Sequence, residues 1–247
     1  MNFEASDRIK FAASVLAAAI LSSGLTLGLY KVGGGLAARA GNAITVTGTA
    51  SENATADNAV WSLNLNESQK TLASSVNKID TSADALKKYL ITGGITEDQI
   101  ELGPINSNAI MEFINGNQTG RILGYQAYRT VTVRTKDVKL VSKLSNDIGS
   151  LLATGVNVGN YGPAYYLSTL DTMRAKLLAA AMQDAKERAK AITEAVGGKV
   201  GGLLSVSSGP TQVTTKNSLD RAAGGIYDVS TIEKTVNVTL SASFKTK

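Results

Sequence analysis

The chain has 247 residues and 43% hydrophobic residues, which is enough to form a substantial core. It contains no histidine and no cysteine, so Ser-His-Asp and Cys-His active sites, zinc fingers and iron–sulfur clusters held by thiolates are excluded. The formal net charge of +5 is a mild excess that leaves acidic surfaces or nucleic acid as possible partners without requiring either.

An uncharged stretch occupies Phe11 to Tyr30, after a short N-terminal tail of residues 1–10. Its 20 residues match the thickness of a bilayer core, which predicts one transmembrane helix. The alternative is a cleaved signal peptide with a small-x-small site at residues 38–40. Arg8 and Lys10 favour a cytoplasmic N-terminus. Small residues at helical spacing are explained either by close packing of two such helices or by the general abundance of Ala and Gly in membrane helices: Ala13, Ala17, Gly24 and Gly28.

A glycine-rich tether at residues 31–42 leads into strands and helices that fill residues 43–247. Alternating residues predict strands near 44–51, 61–66, 99–105, 122–135, 200–207 and 232–244, with an extended stretch at 156–167. Apolar residues three or four apart predict helices at 70–92, 138–152 and 170–196. We therefore predict an α+β fold with antiparallel or mixed sheets, covered by helices on one face and rich in Thr, Ser and Asn on the other. That polar face is explained either by simple solvation or by a hydrated lumen or subunit contact.

Two connections are longer than a compact fold requires, at residues 106–121 and 208–231. The first is predicted to be a loop that carries an apolar cluster, which either packs locally or contacts a subunit or partner. The cluster consists of Ile110, Met111, Phe113 and Ile114.

The positive charge is concentrated in one segment, because residues 121–143 alone sum to +5. The predicted basic patch consists of Arg121, Arg129, Arg134, Lys136, Lys139 and Lys143. Nearby tyrosines would suit single-stranded nucleic acid, but a solvated surface is the simpler interpretation and we expect no nucleic-acid partner.

No motif for catalysis, a cofactor or a metal is recognisable in the sequence. Gly197 to Gly202 lacks the residues of a phosphate-binding loop, and the acidic residues near Glu101 lack the spacing of a calcium loop. We therefore expect no enzymatic activity and no cofactor. A hydrolase that uses Asp57 or Glu101 is kept as a third hypothesis.

The order of motifs resembles the SIMPL-domain family, also described as the periplasmic 26-kDa immunogenic protein family. The resemblance runs from about residue 43 to the C-terminus and rests on residues 44–50, 61–63, 93–95, 124–128, 131–133, 180–189 and 197–198. It implies an extracytoplasmic α+β domain that assembles into large rings, with a channel-like or scaffolding role and no catalytic residues to carry over. The family's early Pro-Asp is Ala56-Asp57 in this chain, and the N-terminal segment is predicted to be retained as an anchor.

These observations predict a non-enzymatic, single-pass protein of the bacterial inner membrane whose periplasmic domain forms a ring-like homo-oligomer. Its expected partners are further copies of itself and the lipid bilayer, which it contacts through residues 11–30. The alternative is a monomeric or dimeric envelope binding module that uses the predicted loop at residues 106–121.

Overall fold

The structure is a computed structural model that describes residues 42–247, and its fold is α+β as predicted. The predicted membrane helix at residues 11–30, its small residues Ala13, Ala17, Gly24 and Gly28, and all but the last residue of the tether lie outside the described residues. Within residues 42–247, no helix has the length and hydropathy needed to span a bilayer.

The described residues divide into two compact units. The first unit contains residues 42–49, 181–208 and 240–247, and the second contains residues 50–180 and 209–239. The chain therefore passes between the units several times.

The second unit is built around a sheet whose central strands are β2 (Asn58–Gln69) and β5 (Asn117–Thr135). They pair antiparallel, with Ala59 opposite Thr135 and Gln69 opposite Tyr125. The free edge of β5 pairs with β3 (Ile100–Leu102) and β4 (Asn106–Ile114). The free edge of β2 pairs with β6 (Val158–Asn160) and β7 (Ala164–Tyr166).

Helices cover one face of this sheet, because its strands alternate apolar and polar residues. The helices are α1 (Leu72–Thr92), α2 (Val138–Asn146) and the single turn α3 (Gly149–Leu152). Thr71 and Asp137 begin α1 and α2 by accepting hydrogen bonds from backbone N–H groups. The shared core contains Ile79, Leu86, Leu90, Trp61, Leu63, Leu65, Val131 and Val133. The opposite face carries Ser62, Asn64, Thr130 and Thr132, as the alternation predicts.

A second sheet has the strand order β1 (Ala43–Thr55), β11 (Glu233–Thr246), β9 (Gln212–Thr215), β10 (Ile226–Tyr227). Strand β8 (Val200–Ser208) also pairs with β11, antiparallel. The long helix α4 (Leu170–Ala195) contributes Leu177 to a core within the second unit. Leu167, Val213, Val236 and Val238 complete that core.

The connection predicted as a loop at residues 106–121 is instead a β-hairpin, so that prediction was wrong. Strand β4 ends at Ile114, and β5 begins at Asn117. The turn between them consists of Asn115 and Gly116, whose φ angles of 53° and 81° suit a tight two-residue hairpin turn. The second connection, at residues 208–231, contains the short strands β9 and β10.

Candidate functional site

The β4–β5 hairpin extends beyond the sheet to which it belongs. Among residues 42–247, strand β5 pairs with β2 only from Tyr125 onwards, whereas its earlier residues pair with β4 alone. Residues 110–124, which we call the arm, therefore form a two-stranded ribbon. An isolated ribbon of this kind is marginally stable in water.

The arm exposes large apolar side chains. Phe113 is 65% exposed, and Ile114, Ile122 and Leu123 are also exposed. Ile110 and Met111 are half-buried. The arm thus brings together the four residues of the apolar cluster predicted from the sequence.

Two residues of this surface were missed by the sequence analysis, namely Ile122 and Leu123. Met111 lies opposite Ile122 in the hairpin register, so the returning strand adds to the same surface. The signal was present in the sequence, because Asn115-Gly116 between two apolar stretches is a strong hairpin pattern.

The arm is electrically neutral. Its only charged residues are Glu112 and Arg121, and the Arg121 guanidinium lies 3.2 Å from the Glu112 carboxylate. The Thr119 hydroxyl donates a second hydrogen bond to that carboxylate, at 2.9 Å. The two charged side chains of the arm therefore compensate each other.

A second apolar surface lies in the first unit, on β8. Leu203, Leu204 and Val206 are all exposed. In the described part of the chain, β8 pairs with β11 and with no other strand. Strand β8 therefore combines an unpaired edge with apolar side chains, which is a surface suited to association.

The six residues of the predicted basic patch do not present six free charges. Arg121 pairs with Glu112, Arg129 lies 3.1 Å from Asp80, and Arg134 lies 3.7 Å from Glu101. The three lysines lie close together in the sequence. Lys136 precedes α2, and Lys139 and Lys143 lie within it. The three arginines all lie on β5, and each pairs with a carboxylate from a different element of the second unit.

The residues considered for hydrolase chemistry each have a partner. The Asp57 carboxylate accepts hydrogen bonds from the Ser168 N–H at 2.8 Å and the Ser168 hydroxyl at 2.5 Å. These bonds hold the pKa of Asp57 below its usual value. Glu101, which lies on β3, pairs with Arg134 on β5. No cluster of acidic residues that could hold a metal ion occurs among residues 42–247.

One buried titratable group, Lys234, was not anticipated from the sequence. Its side chain is 0% exposed, and its ammonium donates a 2.6 Å hydrogen bond to the backbone carbonyl of Asp228. Burial lowers the pKa of Lys234, and the Asp228 carboxylate 4.0 Å away partly opposes that shift. The period-2 pattern of β11 contained the signal, because Lys234 shares a face with the buried Val236 and Val238.

Comparison with protein families gives a match that covers most of the chain. The SIMPL family model, described as a protein of unknown function (DUF541), matches residues 44–244. No curated protein is significantly similar to the sequence.

Solved structures resemble the chain only weakly. The designed protein Foldit4 shares 12% identity over 45% of this chain and 98% of its own, with a TM-score of 0.20. A hydantoinase/carbamoylase family amidase from Burkholderia ambifaria shares 14% over 45% of this chain and 30% of its own, with a TM-score of 0.24. An uncharacterized conserved protein from Listeria innocua shares 9% over 77% of this chain and 91% of its own, with a TM-score of 0.21.

Proposed function

This chain belongs to the SIMPL family, and we propose that it is a non-enzymatic assembly protein of the bacterial cell envelope. In this proposal the folded domain lies in the periplasm and forms a ring-like homo-oligomer with a scaffolding or channel-like role. The observation that carries the proposal is the arm, whose exposed apolar side chains stand on a ribbon that no third strand supports within the described residues.

Burial of the arm against another molecule would remove a large apolar surface from water. Phe113, Ile114, Ile122 and Leu123 are exposed together on one short ribbon. Each such side chain contributes about 1.5 to 3 kcal/mol when it passes from full exposure to full burial. The gain is therefore sufficient to drive association if the partner surface is complementary.

A second copy of the chain provides such a surface, namely the edge strand β8 with Leu203, Leu204 and Val206. The arm and β8 are different surfaces, so a contact between the arm of one copy and β8 of another is heterologous. Heterologous contacts produce rings when the rotation between subunits closes. The neutrality of the arm also avoids repulsion between identical subunits.

The proposed attachment to the membrane rests on the uncharged stretch at residues 11–30. The proposal includes a cytoplasmic N-terminus and one helix per subunit in the inner membrane. Packing of neighbouring helices through Gly24 and Gly28 would then reinforce assembly of the domains.

The test is the molar mass of the full chain, extracted in detergent and measured by light scattering with negative-stain imaging. The wild-type chain should form closed multi-subunit rings, and the Phe113→Ser/Ile114→Ser double variant should dissociate. Leu219→Ser is the matched control, because Leu219 is exposed in a connection outside both surfaces. A monodisperse wild-type monomer would refute the proposal.

The arm also supports a second candidate function, a monomeric or dimeric envelope binding module. In that case the arm contacts a different protein, and its removal abolishes capture of that protein while the molar mass of the chain's own assembly is unchanged. The same double variant separates the two functions, since a ring scaffold predicts a fall in mass.

A further inference from the structure

A cleft of about 270 Å³ opens on the polar face of the sheet in the second unit. Strands β2 and β5 form its floor, and the segment that includes β6 forms one side. Its lining includes Asn64, Asn66, Tyr128, Thr130 and Tyr161. This cleft lies on the sheet face opposite the helices and is separate from the apolar residues of the arm.

The amide side chains on the cleft floor are held in fixed orientations. The Thr130 hydroxyl donates to Asn64 Oδ1 at 2.9 Å, and Gln126 Nε2 donates to Asn66 Oδ1 at 2.9 Å. Because these bonds occupy the amide oxygens, the NH2 groups of Asn64 and Asn66 remain as hydrogen-bond donors.

Two tyrosines add aromatic surface to the same cleft. Tyr161 is 88% exposed and Tyr128 is 41% exposed. Tyr161 lies in the short connection between β6 and β7, where its ring contributes almost nothing to the buried core. The exposed ring is therefore available to stack against a ligand that enters the cleft.

The free groups of the cleft are uncharged. Arg129 is the one charged residue of its lining, and its guanidinium is already engaged. It donates to the Gly103 carbonyl at 2.8 Å and lies 3.1 Å from the Asp80 carboxylate. Since that charge is compensated, none of the described residues that line the cleft offers a free cation to attract an anionic ligand.

We propose that this cleft binds an uncharged oligosaccharide. A sugar ring has a C–H face that stacks on an aromatic ring, and hydroxyl groups that both donate and accept hydrogen bonds. Tyr128 and Tyr161 supply the aromatic surface, and the amide NH2 groups of Asn64 and Asn66 supply hydrogen-bond donors. The preset amide orientations reduce the entropy lost on binding.

The test uses the full chain in detergent with maltotetraose and chitotetraose as neutral probes and trigalacturonate as an anionic probe. Binding is measured by saturation-transfer NMR and titration calorimetry. At least one neutral probe should bind, and trigalacturonate should bind more weakly. Tyr161→Ala should weaken neutral binding by about tenfold or more, which corresponds to about 1.4 kcal/mol.

Matched variants separate ligand contact from damage to the fold. Tyr161→Phe keeps the ring and should keep most of the affinity, whereas Asn64→Ala should lower it severalfold. Leu219→Ala should change nothing, and all variants should keep the wild-type molar mass and thermal midpoint. The proposal is overturned if neither neutral probe binds, if Tyr161→Ala binds as tightly as wild type, or if trigalacturonate is preferred. None of these results depends on ring formation.

Discussion

The Asp57 carboxylate joins the β1–β2 connection to the segment before α4 by accepting two hydrogen bonds from Ser168. The two residues are 111 positions apart in the sequence. Both bonds favour the ionised carboxylate and so lower the pKa of Asp57. The geometry gives Asp57 a role in positioning α4 within the second unit.

We expect Asp57→Ala to lower the free energy of unfolding at neutral pH by about 0.5 to 1.5 kcal/mol, because it removes two hydrogen bonds to Ser168, which is exposed to water. A carboxyl group whose pKa is lowered on folding contributes stability above its unfolded value, here 3.8. That contribution is lost as the pH falls through the folded pKa. Urea unfolding at pH 7 and at successively lower pH measures the difference between wild type and variant.

Ser168→Ala provides the control for the Asp57 variant, since it removes the hydroxyl bond and keeps the backbone bond. Ser168→Ala should lower the free energy of unfolding by less than Asp57→Ala does, and part of the dependence of stability on acidic pH should remain. A difference between wild type and Asp57→Ala that stays constant from neutral to acidic pH would contradict the assigned cause.

Gly48 permits the close approach of β1 and α4 within the first unit. A Cβ atom at this position would lie 2.0 Å from the Ala181 carbonyl oxygen and 2.7 Å from the Ala185 Cβ. Thr49 N–H also donates to the Asp184 carboxylate at 2.8 Å, which fixes the strand against the helix.

Gly48→Ala should therefore destabilise the protein by at least about 2 kcal/mol, because backbone atoms have to move apart. Thermal unfolding followed by circular dichroism gives the measurement. Gly149→Ala is the matched control, since a Cβ there meets nothing within 4 Å. That substitution should be neutral or slightly stabilising. Equal thermal midpoints for Gly48→Ala and wild type would disprove the close contact.

Local patterns in the sequence predicted the regular elements well. The apolar spacing from Leu72 to Leu90 corresponds to α1, and the alternation after Lys234 corresponds to β11. The helix predicted at 138–152 is divided in the structure, because α2 ends at Asn146 and α3 starts at Gly149.

The features that were missed depend on contacts between distant residues. Register places Ile122 opposite Met111, and folding places Ser168 beside Asp57. Neither relationship follows from the periodicity of a single segment. The cleft was missed for the same reason, since Tyr161 and Asn64 meet there from different strands and connections. Only the polar composition of that sheet face was predictable.

The buried ammonium of Lys234 should make stability rise at alkaline pH. Its pKa in the folded protein lies below the ordinary lysine value of 10.5, so the unfolded chain binds more protons between those two values. Stability therefore increases with pH across that interval, as the desolvated charge is lost. Lys234→Met should abolish this rise, as measured by urea unfolding at a series of pH values above 7.

Lys216→Met tests whether the alkaline effect is specific to the buried lysine, since Lys216 is exposed. This variant should retain the wild-type rise. If Lys234→Met also retains it, the ammonium of Lys234 is not the group responsible.

Trp61, the single tryptophan, lies in the core of the second unit and is held there by a hydrogen bond to Asn160. The indole N–H donates to Asn160 Oδ1 at 2.9 Å, and the Trp61 side chain is fully buried.

Asn160→Leu leaves the indole N–H without its partner, which should lower the free energy of unfolding by about 1 to 3 kcal/mol. The Asn160 amide also donates to the Ser145 carbonyl at 3.0 Å, so the variant loses an anchor to α2 as well. Tryptophan fluorescence during urea unfolding should show a lower midpoint. Asn108→Leu, on the exposed face of β4, should leave the free energy of unfolding within about 0.5 kcal/mol of wild type. Identical midpoints for Asn160→Leu and Asn108→Leu would show that the indole bond does not stabilise this core.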